Sequence, residues 1–233
     1  MAKRIFISIT VLLCLLSGSI VQADRDYGFP SLVIEAEVQR DGTVRFLEER
    51  TVSFEGHYTG LFQWINLDRG MKITDVTVGE AGSSYEYNPE HNIGPKGTYF
   101  AEQRGSQFYI DWSFEAVDET RTFQVGYTVH NAVLVHNDVA EFYYQFVGDE
   151  WEKGVDQVDV ILHLPQGAGK EDVRAWGHGP LNGIVEIVDG QTVRWRVSPL
   201  RSKTMVEGRV AFPTNLVPGA TNRTGRAGLP GIL

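Results

Sequence analysis

Across most of the chain, apolar and polar side chains alternate with a period of two. That is the spacing of a strand with one face in a core and the other in water. The alternation marks Ile34-Ala36-Val38, Val44-Phe46 and Val76-Val78. It is longest in Ile110-Trp112-Phe114, Phe123-Val125-Tyr127-Val129, Ala140-Phe142-Tyr144-Phe146 and Val158-Val160-Leu162-Leu164, and it returns at Val185-Ile187 and Val193-Trp195-Val197. Asp41-Gly42 and Asp189-Gly190 each separate two such runs. This placement predicts two-residue hairpins, whose type I′ turn needs positive φ at both residues. No stretch carries a 3.6-residue apolar period of helical length. The pattern predicts an all-β protein, an antiparallel β-sandwich.

Roughly a dozen strands exceed what one sandwich of ~100 residues holds. Two packed sandwich subdomains, residues 24–130 and 131–212, or one enlarged sandwich are therefore expected, with no convincing internal repeat across the break. Beyond Phe212 the character changes. Pro213, Pro218 and Pro230 alternate with Gly219, Gly225, Gly228 and Gly231, without acids or periodicity. Residues 213–233 read as a flexible Pro/Gly linker.

The N-terminus changes the picture from a generic β protein to an exported one. Lys3 and Arg4 precede an apolar run from Ile5 to Leu16, and Val21-Gln22-Ala23 supplies small residues at −3 and −1. Residues 1–23 thus read as a secretory signal peptide, too short in its apolar run for the ~20 residues that span a bilayer. Cys14 is the only cysteine and lies inside that run. Stability must therefore come from a core, since the mature chain has no thiol for a disulfide. The net charge of −9 becomes more negative once Lys3 and Arg4 leave. That field disfavours nucleic acid as a partner.

Candidate chemistry is sparse. Of five tryptophans, Trp112 and Trp195 fall on the apolar parity of their strands and are expected in the core. Phe62-Trp64 and Leu61-Ile65 occupy opposite parities of one strand, which reads as burial on both faces. Trp151 sits in a charged turn, Asp149-Glu150-Trp151-Glu152, and Trp176 precedes the loop Gly177-His178-Gly179-Pro180. Trp151, Trp176 and His178 are accordingly the candidate ligand-binding residues, because exposed aromatic rings can stack on sugars. His130 and His136, with Asp138 near, would need a third firm ligand to hold zinc, so no metal is expected. Glu35 and Glu37 share one strand face, and Asp149, Glu150 and Glu152 crowd one turn. Neither arrangement places two carboxyls across a cleft as glycoside hydrolysis requires. No Gly-x-Ser-x-Gly elbow or dinucleotide loop is present. No catalytic residue and no cofactor are assigned.

Several segments together resemble the YciQ-like predicted bacterial membrane proteins of unknown function (domain of unknown function 2207). They are Ile73-Thr74-Asp75-Val76-Thr77-Val78, Ile110-Asp111-Trp112-Ser113-Phe114-Glu115-Ala116, Arg121-Thr122-Phe123-Gln124-Val125-Gly126-Tyr127 and Ala140-Glu141-Phe142-Tyr143-Tyr144, then Leu162-His163-Leu164-Pro165 and His178-Gly179-Pro180-Leu181-Asn182-Gly183. The resemblance, over residues 31–212, implies an N-terminal extracytoplasmic β-sandwich tethered to the membrane by a C-terminal region absent from this chain. It supplies no catalytic or ligand residues. The expected function is a noncatalytic extracytoplasmic domain of an envelope membrane protein with an interaction or sensing role. Its partner would be an envelope protein or a glycan. The alternatives are a secreted carbohydrate- or peptidoglycan-binding module using Trp151 and Trp176, and an envelope hydrolase.

Overall fold

The computed structural model describes residues 25–68, 70–90 and 94–232. The expected signal peptide, residues 1–23, lies outside the described residues. The first half forms β1 (Asp26–Val38), β2 (Val44–Glu55), β3 (His57–Asn66), β4 (Lys72–Glu80), β5 (Ser83–Ser84), β6 (Glu86–Tyr87), β7 (Thr98–Arg104), β8 (Gln107–Val117) and β9 (Thr120–His130). The second forms β10 (Val133–Val135), β11 (Ala140–Val147), β12 (Val158–His163), β13 (Arg174–His178), β14 (Ile184–Ile187), β15 (Thr192–Val197) and β16 (Val206–Phe212). A single helical turn, α1 (Leu229–Ile232), ends the described chain.

The all-β expectation holds, in three sheets. Eight strands lie in the order β14-β15-β12-β1-β2-β9-β4-β5, and two four-stranded sheets, β10-β11-β16-β13 and β3-β8-β7-β6, complete the architecture. Most pairs are antiparallel, as the pattern predicts. However, β1 pairs with β12 in parallel, Leu32 opposite Val158 and Ala36 opposite Leu162, and β6 pairs with β7 in parallel. The β1–β12 pair makes the large sheet continuous across residues 130 and 131. The two smaller sheets are separate covers on one shared backing.

The inner face of the large sheet carries the apolar parity of its strands. Leu32, Ile34, Ala36, Val38, Val44, Phe46, Val125, Val160 and Trp195 are all buried. At one end, Phe46 packs against Tyr144 at 4.7 Å and Phe142 at 6.5 Å, both from β11. At the other end, Phe54 meets Phe114 of β8 at 5.4 Å, and Phe114 meets Phe123 at 4.6 Å. Between Phe46 and Phe54 on β2 stand Glu48 and Arg50, both buried and hydrogen-bonded to each other. This buried ion pair lies at the seam where one covering sheet gives way to the other. Tyr127 donates from its hydroxyl to Glu48, and Asn66 of β3 donates to Gln145 Oε1 of β11 at 3.1 Å across the same seam.

Three local features follow from backbone chemistry. Pro30 cannot donate to a ladder, and it falls where the β1–β2 register shifts between Gly28 and Ser31. The turn after β1 is not the two-residue type I′ expected from Asp41-Gly42. Gly42 N–H donates to Gln39 O, Gln39 N–H donates to Thr43 O, and only Gly42 has positive φ, at 82°. This is a three-residue loop with glycine in the left-handed position. At Asp189-Gly190 neither residue has positive φ. Gly190 is needed there because a Cβ would lie 2.0 Å from Ala168 O.

The expected Pro/Gly linker is not free chain. Leu216, Val217 and Ala220 are buried, Gly219 N–H donates to Arg40 O, and Val135 N–H donates to Asn222 O at 2.9 Å. The segment from 213 to 229 straps across the β1–β2 turn and β10. A strap needs only occasional apolar anchors, so its sequence carries no period. No helix among the described residues is long and apolar enough to cross a membrane.

Candidate binding surface

The structure brings two of the three candidate residues together. Trp176 and His178 project from one face of β13, two residues apart, onto the outer face of its sheet. His178 is exposed and packs edge-on against Tyr143, with ring centroids 5.9 Å apart. Tyr143 Oη donates to Glu207 Oε2 at 2.5 Å, and Arg209 lies over the Tyr143 ring at 5.4 Å. Arg209 also donates to Glu141 Oε1 at 2.9 Å. Glu141 Oε2 is 2.8 Å from His136 Nε2, and His136 Nδ1 is 2.9 Å from Thr224 Oγ1. This network fastens the terminal strap. A Cβ on Gly228 would lie 2.5 Å from the His136 ring. Asp138 accepts the N–H groups of Gly228 and Leu229, and these bonds, Gly228 first, hold its carboxyl below the usual aspartate range. His130 bonds Thr74 Oγ1 at 2.8 Å. The two histidines weighed for zinc are therefore engaged in separate hydrogen bonds.

Trp151 is remote from this pair. It is half-buried in the loop between β11 and β12, 5.1 Å from the Phe29 ring, with the Arg50 guanidinium 5.1 Å from its own. Its carbonyl accepts from Lys203 N–H. It plugs the end of the core beside the seam. Beside His178 a cleft of 250 Å³ runs under the Gly179-Pro180-Leu181 loop, where glycines at 177 and 208 make room for Trp195. Glu35 and Glu37 do share a face, in a 780 Å³ groove on the outside of the large sheet. Arg45 and His163 stand opposite Glu37 on its two neighbouring strands.

Two of the exposed aromatic side chains are ones that the sequence pattern assigns to the interior. Phe62 is 62% and Trp64 38% exposed, so β3 is buried on one face only. Its inner parity holds Gln63 and Ile65, and its outer parity is an aromatic strip. Register explains the strip: Phe62 sits opposite Asp111 and Trp64 opposite Tyr109, on the outward parity of β8. The parity that holds Ile110, Trp112 and Phe114 faces the core. Tyr109 bridges the two exposed rings, 6.1 Å from Phe62 and 4.6 Å from Trp64. Arg104 of β7 lies 4.2 Å over Tyr109 and 5.4 Å from the Trp64 ring, and it is ion-paired with Glu102. Partial burial, with Asp111 beside it, pushes the Tyr109 hydroxyl up to about 12. The available signal was the Tyr109-Asp111 parity of the neighbouring strand, which is polar and therefore outward.

No curated protein matches this sequence. Among solved structures, a Parabacteroides distasonis protein provisionally assigned as a protease aligns with a TM-score of 0.42 at 11% identity, over 80% of this chain and 40% of its own. An M1 zinc metallopeptidase from Deinococcus radiodurans aligns with a TM-score of 0.41 at 10% identity, over 80% and 43%. The chain spans about two fifths of the length of those structures, and at that level the likeness says nothing of activity. The family model described as predicted membrane protein (DUF2207) N-terminal domain matches residues 29–212, and the chain belongs to that family.

Proposed function

We propose that this chain is a noncatalytic binding domain on the extracytoplasmic side of a bacterial envelope. Membrane-spanning sequence outside the chain would tether it, and it would engage an envelope component through the outer face of β3-β8-β7. The observation that carries this reading is the exposed Phe62–Trp64 strip on the outer face of β3, with the polar side chains Asn66, Gln107 and Asp111 beside it. Large rings held outward on a rigid sheet bind with little loss of side-chain freedom. The leader-like residues 1–23 and the acidic composition support export. Buried carboxylates support a structural rather than catalytic use, since Glu48 bonds Arg50 and Glu141 bonds both His136 and Arg209.

The test is sedimentation of the purified full chain with washed envelopes from its own cells, beside the double variant Phe62→Ser, Trp64→Ser. The expected result is binding by the native chain and its loss in the variant at an unchanged urea midpoint. Equal sedimentation of both proteins would overturn the reading. A phosphatase fusion, inactive in the cytoplasm, would check the side of the membrane.

A further inference from the structure

We infer that the Phe62–Trp64 strip is a glycan platform, and that its ligand is an uncharged oligosaccharide. The inference rests on the binding role assigned above to this face and adds the ligand's chemistry. Phe62 and Trp64 are two residues apart on one strand, about 7 Å along it, and Tyr109 fills the space between. The exposed apolar area is thus one ring wide and two rings long. A protein hot spot is instead a compact buried cluster inside a broad, water-excluding rim. A pyranose offers an apolar C–H face of ring size on each side and hydroxyls around its edge. Two successive sugars stacked on two successive rings fit such a strip.

The rim favours the hydroxyl edge. By register, Asn66 and Gln107 stand opposite each other at one end, and Asp111 lies beside Phe62. The Gln107 amide donates to Asn66 Oδ1 at 2.9 Å, and the Asn66 amide donates to Gln145, so these side chains are held in place. In the plane of a stacked sugar, carboxylates accept from its hydroxyls, and amides both accept from and donate to them. Charge then narrows the class. Among the described residues of this part of the face the charged groups are Glu102, Asp111 and Arg104, and Arg104 is paired with Glu102. With a chain charge of −9, the field repels phosphorylated or sulfated chains and leaves neutral ones unopposed.

The experiment is calorimetric and fluorescence titration of the full chain with N,N′,N″-triacetylchitotriose and with cellohexaose, up to tens of millimolar. A sulfated glycan and a proline-rich peptide serve as comparison ligands. Saturable binding of a neutral oligosaccharide is expected, at least tenfold weaker in Phe62→Ser and in Trp64→Ser, and unchanged in Trp176→Ser. Each variant is first matched to the native urea midpoint. Two results would overturn the inference: no saturable binding of either neutral sugar, or binding that the strip variants leave intact. If envelopes still sediment the native chain but not the variants while both sugars stay silent, the binding face stands and its ligand is not a neutral glycan. Saturation by the peptide alone would identify a protein partner instead.

Discussion

Removing one member of the Glu48–Arg50 pair should be among the most damaging single changes in this protein. Both side chains are nearly sealed, 4% and 7% exposed. Arg50 donates from Nε to Glu48 Oε2 at 3.0 Å and from Nη2 to the same oxygen, while its guanidinium lies over Trp151. Arg50→Met would leave the Glu48 carboxylate buried with, among the described residues, the Tyr127 hydroxyl as its side-chain partner. An uncompensated buried charge costs about 3–5 kcal/mol, and the lost cation–π contact adds about 0.5–1 kcal/mol. Against a total of about 5–15 kcal/mol, that is a large fraction. With a urea m-value of about 2.5 kcal/mol per molar, the midpoint should fall by about 1.4–2.4 M. The double variant Glu48→Gln, Arg50→Met keeps an acceptor for Tyr127 and removes both charges. It should recover to within about 1–2 kcal/mol of the native chain, because a buried pair roughly balances its own desolvation. Urea unfolding followed by tryptophan fluorescence reads all the species. The reasoning fails if Arg50→Met shifts the midpoint by less than about 0.4 M at constant m. It fails equally if the double variant shows the sum of the single losses, since that would mean the groups are solvated and uncoupled.

Gly208→Ala should destabilise by about 1–3 kcal/mol through overpacking, because its Cβ would lie 2.5 Å from Phe146 and 2.8 Å from Trp195. Gly225→Ala, with open space around it, is the matched control, and equal urea midpoints for the two would contradict the packing. Deleting residues 214–233 should lower stability by about 3–6 kcal/mol, the transfer value of re-exposing Leu216 and Val217. A thermal midpoint left in place would mean the strap contributes nothing. Stability should also collapse at high pH. Burial, then Glu48, raises the Tyr127 pKa, and burial raises that of Tyr144. A raised folded value means the unfolded chain ionises first, so this stabilisation is complete below about pH 10 and declines above it. The decline is about 1.4 kcal/mol per pH unit per tyrosine. Midpoints measured from about pH 9 to 11.5 should fall less steeply in Tyr127→Phe, and parallel curves would refute the assignment.

Strand parity carried most of the fold. Ile110, Trp112 and Phe114, and likewise Val193, Trp195 and Val197, are buried as their alternation requires. Parity is a local property, however, and three facts here are not local. The parallel pairing of β1 with β12 joins residues more than a hundred apart, and no turn signal announces it. The outward side of β3 depends on its register with β8, because Leu61-Phe62 and Trp64-Ile65 read as apolar on either face. The strap after Phe212 is held by a few anchors and by hydrogen bonds to the β1–β2 turn, neither of which has a period. At the candidate surface, Trp176 and His178 lie on one face of β13 because they stand two residues apart on one strand. For Trp151, the charged neighbours Asp149, Glu150 and Glu152 predict an exposed ring. Those side chains are exposed while the indole turns back onto Phe29 and Arg50.

The shared backing sheet accounts for the position of both polar and apolar exceptions. On β2, the rings of β11 pack on Phe46 and the ring of β8 packs on Phe54, so the intervening face must satisfy two covers that meet there. An ion pair whose further contacts go to Tyr127 of β9 and to Trp151 in the loop after β11 fills that seam. On β3, the inner parity serves the same core through Gln63 and Ile65. The outer parity packs only within its own face, on Tyr109 and Arg104, which leaves the outward sides of Phe62 and Trp64 available to a ligand. Binding and stability should therefore separate by parity along neighbouring strands. Outer substitutions at Phe62 and Trp64 would remove binding at unchanged stability. The inner substitution Arg50→Met would lower stability while its folded fraction binds normally, and a variant of either kind that moved both properties together would contradict this division.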